Sequence, residues 1–320
     1  MLGNYLTVAI RNLVRNRLYT LINVIGLAIG LTACLLIMQY VRQEFSYESM
    51  HANADRIYRI LRVTEQAGGS PIYNTGAQGP THQLAREIQG AEKVARTYTR
   101  QRIIRHDDTS LLQTILLADP ELFDIFTIEG ASPSEIKAAN QPGTMLVTRE
   151  AAHRFFGDAN PVGRTMSVDH VSFRGEYEIV GVLADNPIHT RLQFDFLTTT
   201  PANTHMREYW DEWRLGTTFH PVIGYVLLAP TTSPDAFAQS LTALVDGHIG
   251  DQAALSLSFV LEPLTRIYLF GKQDFGYQES VTGDIDTVIL MAAIGFFVIL
   301  IAGVNFTSLS TAQSIRRGKE

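Results

Sequence analysis

Residues 23–43 read NVIGLAIGLTACLLIMQYVRQ. The stretch is apolar, holds the only cysteine of the chain, and contains Leu31-Thr32-Ala33-Cys34. That tetrapeptide has the pattern at which bacterial lipoproteins are cut and lipidated. Cleavage, lipidation and retention as a membrane helix would make three different proteins. A cleaved signal has an apolar core of roughly 7–15 residues and a polar mature start. Here Leu35-Leu36-Ile37-Met38 continue the apolar run past Cys34. The charge-free segment extends from Leu18 to Val41, 24 positions, and about 20 residues span a bilayer core. Arg15 and Arg17 flank one end and Arg42 the other. The stretch therefore reads as a retained span, and Cys34 as a small apolar residue within it.

A second charge-free run covers Thr287 to Ile315 and is followed at once by Arg316 and Arg317. Basic residues at both outer flanks place both termini in the cytoplasm and the long middle outside it. Between Gln43 and Asp286 there are 19 Lys+Arg against 31 Asp+Glu, a net of 19 − 31 = −12. An acidic middle argues against nucleic-acid binding, which needs a basic face. One cysteine excludes an intrachain disulfide and a cysteine-based metal site.

Within the first span, Gly26 and Gly30 form GxxxG with Ala33 near the same face. Small residues let helix backbones approach closely in lipid, where apolar burial drives nothing. Asn23 and Asn305 are costly in hydrocarbon and are expected to face protein. Before the span, Leu2, Leu6, Ala9 and Leu13 recur at helical spacing with Arg11 and Arg15 on another side. That pattern fits a helix lying in the membrane interface, and equally an ordinary basic flank.

The middle carries two βαβ patterns. DRIYRILRVTE (55–65) alternates as a strand, GPTHQLAREIQG (79–90) has helix start and stop signals, and KVARTYTRQRII (93–104) reads as a strand. VIGYVLLAP (222–230), SPDAFAQSLTALVDGHI (233–249) and LSLSFVLEPL (255–264) repeat the order, with Ser233 as N-cap and Pro234 at the first helical position. Two such units make a split βαβ, or ferredoxin-like, arrangement. Between them lies a strand-rich region with turn signals, read as an insertion.

No chemistry stands out. The nine histidines are scattered, and HExxH, GxSxG, Walker A and a Cys/His cluster are all missing. Asp107-Asp108 reads as a turn, and Trp210 and Trp213 as packing residues. Enzymatic activity, a metal and a cofactor are accordingly not expected.

An ordered set of segments resembles one family. AIRNLVRNRLYTLINVIGLAIGLTACLLI (9–37) is similar to the opening of FtsX-like, MacB-type ABC transporter permeases. FSYESMHANADRIYRI (45–60) resembles the start of their periplasmic core domain. LFDIFTIEG, MLVTREAAHRFFGDANPVGRTM, YEIVGVLADNPIHTRLQFDFL and LEPLTRIYLF continue it in order. FFVILIAGVNFTSLSTAQSIRRGKE (296–320) resembles the second span and its cytoplasmic exit.

The resemblance implies an α+β membrane protein with two transmembrane helices flanking a periplasmic domain. The expected order is an interfacial helix over 1–17, a first span over 18–41, a periplasmic core over 43–285, a second span over 287–315 and the start of a coupling element over 316–320. The core is expected to have a ferredoxin-like part, about 50–110 and 220–275, and an inserted part over about 111–219.

It further implies a non-catalytic subunit in the inner membrane of a Gram-negative-type bacterium. Such a subunit carries the ATP-driven motion of a separate ABC ATPase chain to the periplasm. The outcome is export or mechanotransmission: peptide expulsion, lipoprotein extraction or control of a cell-wall hydrolase. Arg316, Arg317, Lys319 and Glu320 match the beginning of the element that docks on the ATPase. The other implied partners are the lipid bilayer, a second permease unit (identical or not) and a periplasmic adaptor or substrate protein. The glycine face is a candidate contact between the two units.

Family members have at least four spans, so two spans suggest an N-terminal portion of a permease. A two-helix sensor or adaptor with a periplasmic ligand-binding domain is the alternative from another class. It needs a cytoplasmic output domain, whereas five residues follow Ile315. A lipid-anchored periplasmic enzyme would require processing at Cys34.

Overall fold

The computed structural model describes residues 17–65, 69–77, 79–169, 174–203, 207, 210, 222–249, 257–275 and 282–317. All of the expected interfacial helix but Arg17 lies outside them, as do Trp213, Lys319 and Glu320. The chain divides into two compact units, Met1–Ser46 with Gly283–Glu320, and Tyr47–Thr282.

The first unit contains α1 (Arg17–Phe45) and, at the other end of the chain, α8 (Ile285–Arg317). Their apolar stretches, Thr20–Phe45 and Ile285–Ser308, are 26 and 24 residues long. At 1.5 Å per residue each reaches beyond a hydrocarbon core of about 30 Å. α1 runs past Val41 to Phe45 because Arg42, Gln43 and Glu44 are all sound helix formers. It stops at a run of turns over residues 46–50. α8 starts at a cap. Asp284 accepts the Asp286 N–H at 3.1 Å and the Thr287 hydroxyl at 3.0 Å, satisfying donors that the first turn leaves open.

The second unit is built on one ten-stranded sheet. At one end the order is β10 (Leu257–Pro263), β1 (Ile57–Thr64), β9 (Ile223–Leu228), β3 (Ala91–His106), each pair antiparallel. β2 (Ile72–Asn74) adds to β1 beyond this path. α2 (Gly79–Glu87) connects β1's arm to β3, and α6 (Pro234–Ile249) connects β9 to β10. Strand alternation sends Ile60, Val94, Val226 and Phe259 to one face. There they pack with Leu84 and Ala85 of α2 and Phe237, Leu241 and Val245 of α6. The 237, 241, 245 spacing lines one helix stripe, and burying each such side chain stabilises by about 1.5–3 kcal/mol. His82 is pressed on β9 so closely that a Cβ at Gly224 would lie 1.8 Å from its Cδ2. Only glycine fits there.

β3 outlasts this half. Beyond Thr97 it pairs with β4 (Thr109–Ala118) through a two-residue turn, Asp107-Asp108, with Asp107 at φ 48°. That positive φ suits the right-handed twist of a tight hairpin. The expected boundary at residue 111 therefore falls inside a strand. α3 (Leu122–Ile125) and α4 (Pro133–Ala138) follow, and α5 (Arg149–Phe156) comes after β5 (Thr144–Thr148). β6 (Thr165–Val168), β7 (Gly175–Leu183) and β8 (Phe196–Thr199) complete the strands.

The order β3-β4-β8-β5-β7-β6 returns to β3 through Ile104↔Val168 and Arg105↔Ser167. Six strands thus close into a barrel, which leaves no unpaired edge there. Its interior is filled by Tyr98, Ile104, Ile115, Met145, Val147, Met166, Ile179 and Phe196, with Trp210 against them. A second apolar cluster lies on the other face of β1 and β9. It joins Ile57, Ala95, Tyr225 and Leu227 to Leu122, Ile125 and Phe126, and to Leu264 and Ile267 of α7 (Leu264–Phe275).

Candidate functional site

Among the described residues of the Tyr47–Thr282 unit, buried ion pairs and charge-bearing hydrogen bonds cluster at three places. The first follows directly on Ser46. Glu48 is 1% exposed and sits at φ 60°, a conformation that costs an L-residue of order 1–2 kcal/mol. Its carboxylate accepts from Thr190 Oγ1 at 2.8 Å, Arg191 N at 2.6 Å and His51 Nε2 at 3.0 Å. His51 Nδ1 accepts the Thr127 N–H at 3.2 Å, so the ring proton belongs on Nε2. The Glu48 N–H donates to His189 O at 2.9 Å. Tyr47 donates to Thr190 O at 3.2 Å and stacks on Tyr268 with ring centroids 3.7 Å apart. These bonds join residues 47–51 to the 186–194 loop, 143 positions away for Tyr47 and Thr190.

The second place is the direct cross-strand pair Arg59↔Glu262 of β1 and β10. Arg59 donates through Nε and Nη2 to Glu262 Oε2 at 3.0 and 2.7 Å, with both side chains at most 1% exposed. Tyr225, opposite Arg59 on β9, is enclosed, and burial pushes its hydroxyl pKa up.

The third is Asp119, at the end of β4. Arg96 grips it through Nε, Nη2 and its own backbone N–H at 2.8, 3.0 and 3.0 Å. Arg86 and Thr200 add bonds at 2.8 and 2.9 Å. Burial acts to raise the Asp119 pKa. The hydrogen bond and charge of Arg96, then the charge of Arg86, outweigh it and hold the group below the usual aspartate value. In the barrel, burial pushes the Tyr177 hydroxyl up to about 12.

Two cavities share the 184–194 loop as a wall. One, about 150 Å³, is mostly apolar and runs from Met50 and His51 to Ile128, Leu192 and Phe194. The other, about 230 Å³, is polar and includes Thr114, Glu150, Gln193 and Asp195. Among the described residues no group of three His, Cys, Asp or Glu is placed to hold a metal.

In the helical unit, a Cβ on Gly30 would lie 2.7 Å from Ala302 Cβ, and one on Gly26 would lie 3.5 Å from Asn305 Nδ2. Gly295 of α8 receives Ile37 of α1 at 3.0 Å in the same sense. The glycine face proposed for a second unit is thus turned to the chain's own second helix. Ala33 is half-buried one turn beyond Gly30. The Asn23 side-chain oxygen is enclosed with no hydrogen-bond donor among the described residues. Arg316 and Arg317 end α8, while Lys319 and Glu320 are not described.

Sequence reasoning missed Glu48, His51, Thr190, Arg59, Glu262 and Asp119. The local signal available was weak: Arg59 interrupts an otherwise apolar strand face, Ile57, Leu61 and Val63. Its pairing with Glu262 depends on strands 203 positions apart.

Residues 20–244, more than half of the chain, match the family model of the MacB-like periplasmic core domain. A domain of a putative permease protein from Porphyromonas gingivalis aligns at TM-score 0.54 and 24% identity, over 67% of this chain and 91% of that one. The periplasmic region of MacB from Actinobacillus actinomycetemcomitans aligns at 0.46 and 11%, over 76% and 99%. The extracellular domain of the noncanonic ABC-type transporter YknZ from Gram-positive bacteria aligns at 0.45 and 10%, over 63% and 98%. No curated protein matches the chain. A mixed α/β domain of a periplasmic family, flanked by an apolar helix on each side, indicates an inner-membrane protein. The chain belongs to the family that carries the MacB-like periplasmic core domain, and is an ABC-transporter permease-type protein.

Proposed function

We propose that the chain is the permease subunit through which a partner ABC ATPase drives conformational change outside the cytoplasm, for export or mechanotransmission. The family match over residues 20–244, which takes in most of α1, together with the second apolar helix α8 beyond it, carries this reading. On it, residues 43–285 stand in the periplasm and both termini in the cytoplasm, as the basic flanks require. The strand order β10-β1-β9-β3, with α2 and α6 on one face, supports a ferredoxin-like part. The closed barrel is then the inserted part.

Arg316, Arg317, Lys319 and Glu320 act as the start of the coupling element, a basic surface offered to the ATPase. A second permease unit completes the assembly, and a periplasmic adaptor or substrate protein is the cargo side of the cycle.

Co-expression with candidate ABC ATPases of the same organism tests the reading. One of them should co-purify in detergent, and Arg316→Ala with Arg317→Ala should reduce recovery severalfold. Failure of every candidate to co-purify, or equal recovery with both arginines removed, contradicts the proposal.

A further inference from the structure

The cavity at the Met50 end of the Tyr47–Thr282 unit is mostly apolar. Its walls are Met50, Ile128, Leu192 and Phe194, while Glu129 and Asp185, both exposed, stand at its rim. Asp185 uses one oxygen to accept the Glu150 N–H at 2.6 Å. Glu129 makes no side-chain hydrogen bond among the described residues, and neither carboxylate has a cation within ion-pair distance among them. The walls are held open by backbone geometry. Gly130 sits at φ +105° so close to the end of β7 that a Cβ would lie 2.2 Å from Ala184 N, and the Ala184 N–H donates to Glu129 O at 2.8 Å. On the other side Gln193 donates to the carbonyls of Pro187 and Thr190 at 2.8 and 2.9 Å. The polar groups at the floor, His51 and Thr190, are already engaged with Glu48.

A preformed cavity of about 150 Å³ holds one side chain, since a cavity of that size takes up a molecule as large as benzene. Apolar walls fit methylene groups, and two carboxylates at the rim fit a positive charge at their end. A long aliphatic cation is the side chain with that shape. We infer that this cavity is a docking site for a lysine side chain of a peptide or protein partner, with the stem among Met50, Ile128, Leu192 and Phe194 and the ammonium between Glu129 and Asp185. The site goes beyond the ATPase-coupling reading and does not depend on it. Its failure would leave co-purification of the ATPase unaffected.

The test uses the whole chain in nanodiscs of zwitterionic lipid, which avoids attraction of a cation to the membrane itself. Saturable binding of the capped peptide acetyl-Gly-Ala-Lys-Ala-Gly-amide is compared by ligand-observed NMR with the same peptide carrying norleucine. The lysine peptide should bind more tightly by about two- to fivefold, the contrast an exposed ion pair gives. Glu129→Gln with Asp185→Asn should abolish that contrast. The Asp185→Asn amide keeps an oxygen for the Glu150 N–H, so folding is preserved. Ala184→Phe, which fills the cavity, should weaken both peptides. Equal binding of the two peptides, a contrast that survives the double substitution, or no saturable binding would overturn the proposal. So would n-pentylammonium binding as tightly as the lysine peptide, which would make the cavity a small-amine site and not a peptide site.

Discussion

The two units of this chain solve the problem of polar groups in opposite ways. In the helical unit the large side chains point outward: Leu18, Ile29, Leu35, Phe296 and Ile301 are all more than half exposed. The helices meet through their smallest residues, Gly30 on Ala302 and Gly295 on Ile37. In the Tyr47–Thr282 unit the large apolar side chains are inside, and charged residues are buried with them as matched pairs. Where a bilayer is the solvent, contact depends on close fit, because lipid rewards no apolar burial. Where water is the solvent, a buried charge must bring its partner. The same chain therefore carries two kinds of fragility, one steric and one electrostatic.

The largest expected effect is electrostatic. Removing one partner of Arg59–Glu262, as in Arg59→Ala, takes the guanidinium away from a carboxylate that is 1% exposed. Breaking such a pair costs about 3–5 kcal/mol, seen as a large fall in the midpoint of thermal unfolding of the whole chain in detergent. Arg59→Met with Glu262→Leu should recover most of that loss. If the double variant is as unstable as the single, the pair is not the cause.

Asp119→Ala comes next, at about 2–4 kcal/mol, because two arginines and a buried threonine lose their common acceptor. Asp119 also sets a pH dependence. Its folded pKa lies below its unfolded value, so its contribution is complete above the ordinary aspartate pKa. The contribution fades as pH falls through the depressed folded value. Wild type should lose stability on acidification through that window, and Asp119→Asn should lose less. Parallel curves for the two would remove this role.

The steric unit gives the third prediction. Gly30→Ala places a methyl 2.7 Å from Ala302 Cβ, whereas Gly26→Ala meets only ordinary contact at 3.5 Å from Asn305. Overpacking costs about 1–3 kcal/mol. Gly30→Ala should therefore reduce disulfide crosslinking between Ile37→Cys and Gly295→Cys in a Cys34→Ala background, and Gly26→Ala should not. Equal crosslinking in both would show that Gly30 is not the close point of this helix pair.

The smallest effect is at a cap. Ser132 opens α4 with a capping box, accepting the Glu135 N–H while Glu135 accepts the Ser132 N–H at 2.7 Å. Ser132→Ala should cost about 1 kcal/mol, a shift of a few degrees in the same unfolding assay.

The steric half was the more readable from sequence. Charge-free runs, basic flanks and GxxxG are local signals, and so are the strand alternation of residues 57–64 and the Ser233-Pro234 helix start. Four strands and two helices of the open half stand where those patterns put them. The long-range pairings of the Tyr47–Thr282 unit were not legible. Closure of the barrel rests on two residue pairs between β3 and β6, and no local pattern encodes such a distant meeting. Glu48 and Thr190 carry no motif, and their bond spans 142 positions. Gly30 was readable as a contact residue but not as a contact within its own chain, because GxxxG specifies close approach and leaves the partner open.

The proposal most open to test is that residues 43–285 lie outside the cytoplasm and both termini inside it. Single cysteines in a Cys34→Ala background test it most directly, one at Asp107 in the exposed β3–β4 turn and one at Lys319. A membrane-impermeant maleimide is applied to cells with a permeabilised outer membrane and an intact inner membrane. The account predicts labelling of the cysteine at 107 in these cells, and of the cysteine at 319 only after the inner membrane is opened. Labelling at 319 in intact cells with protection at 107 would contradict it.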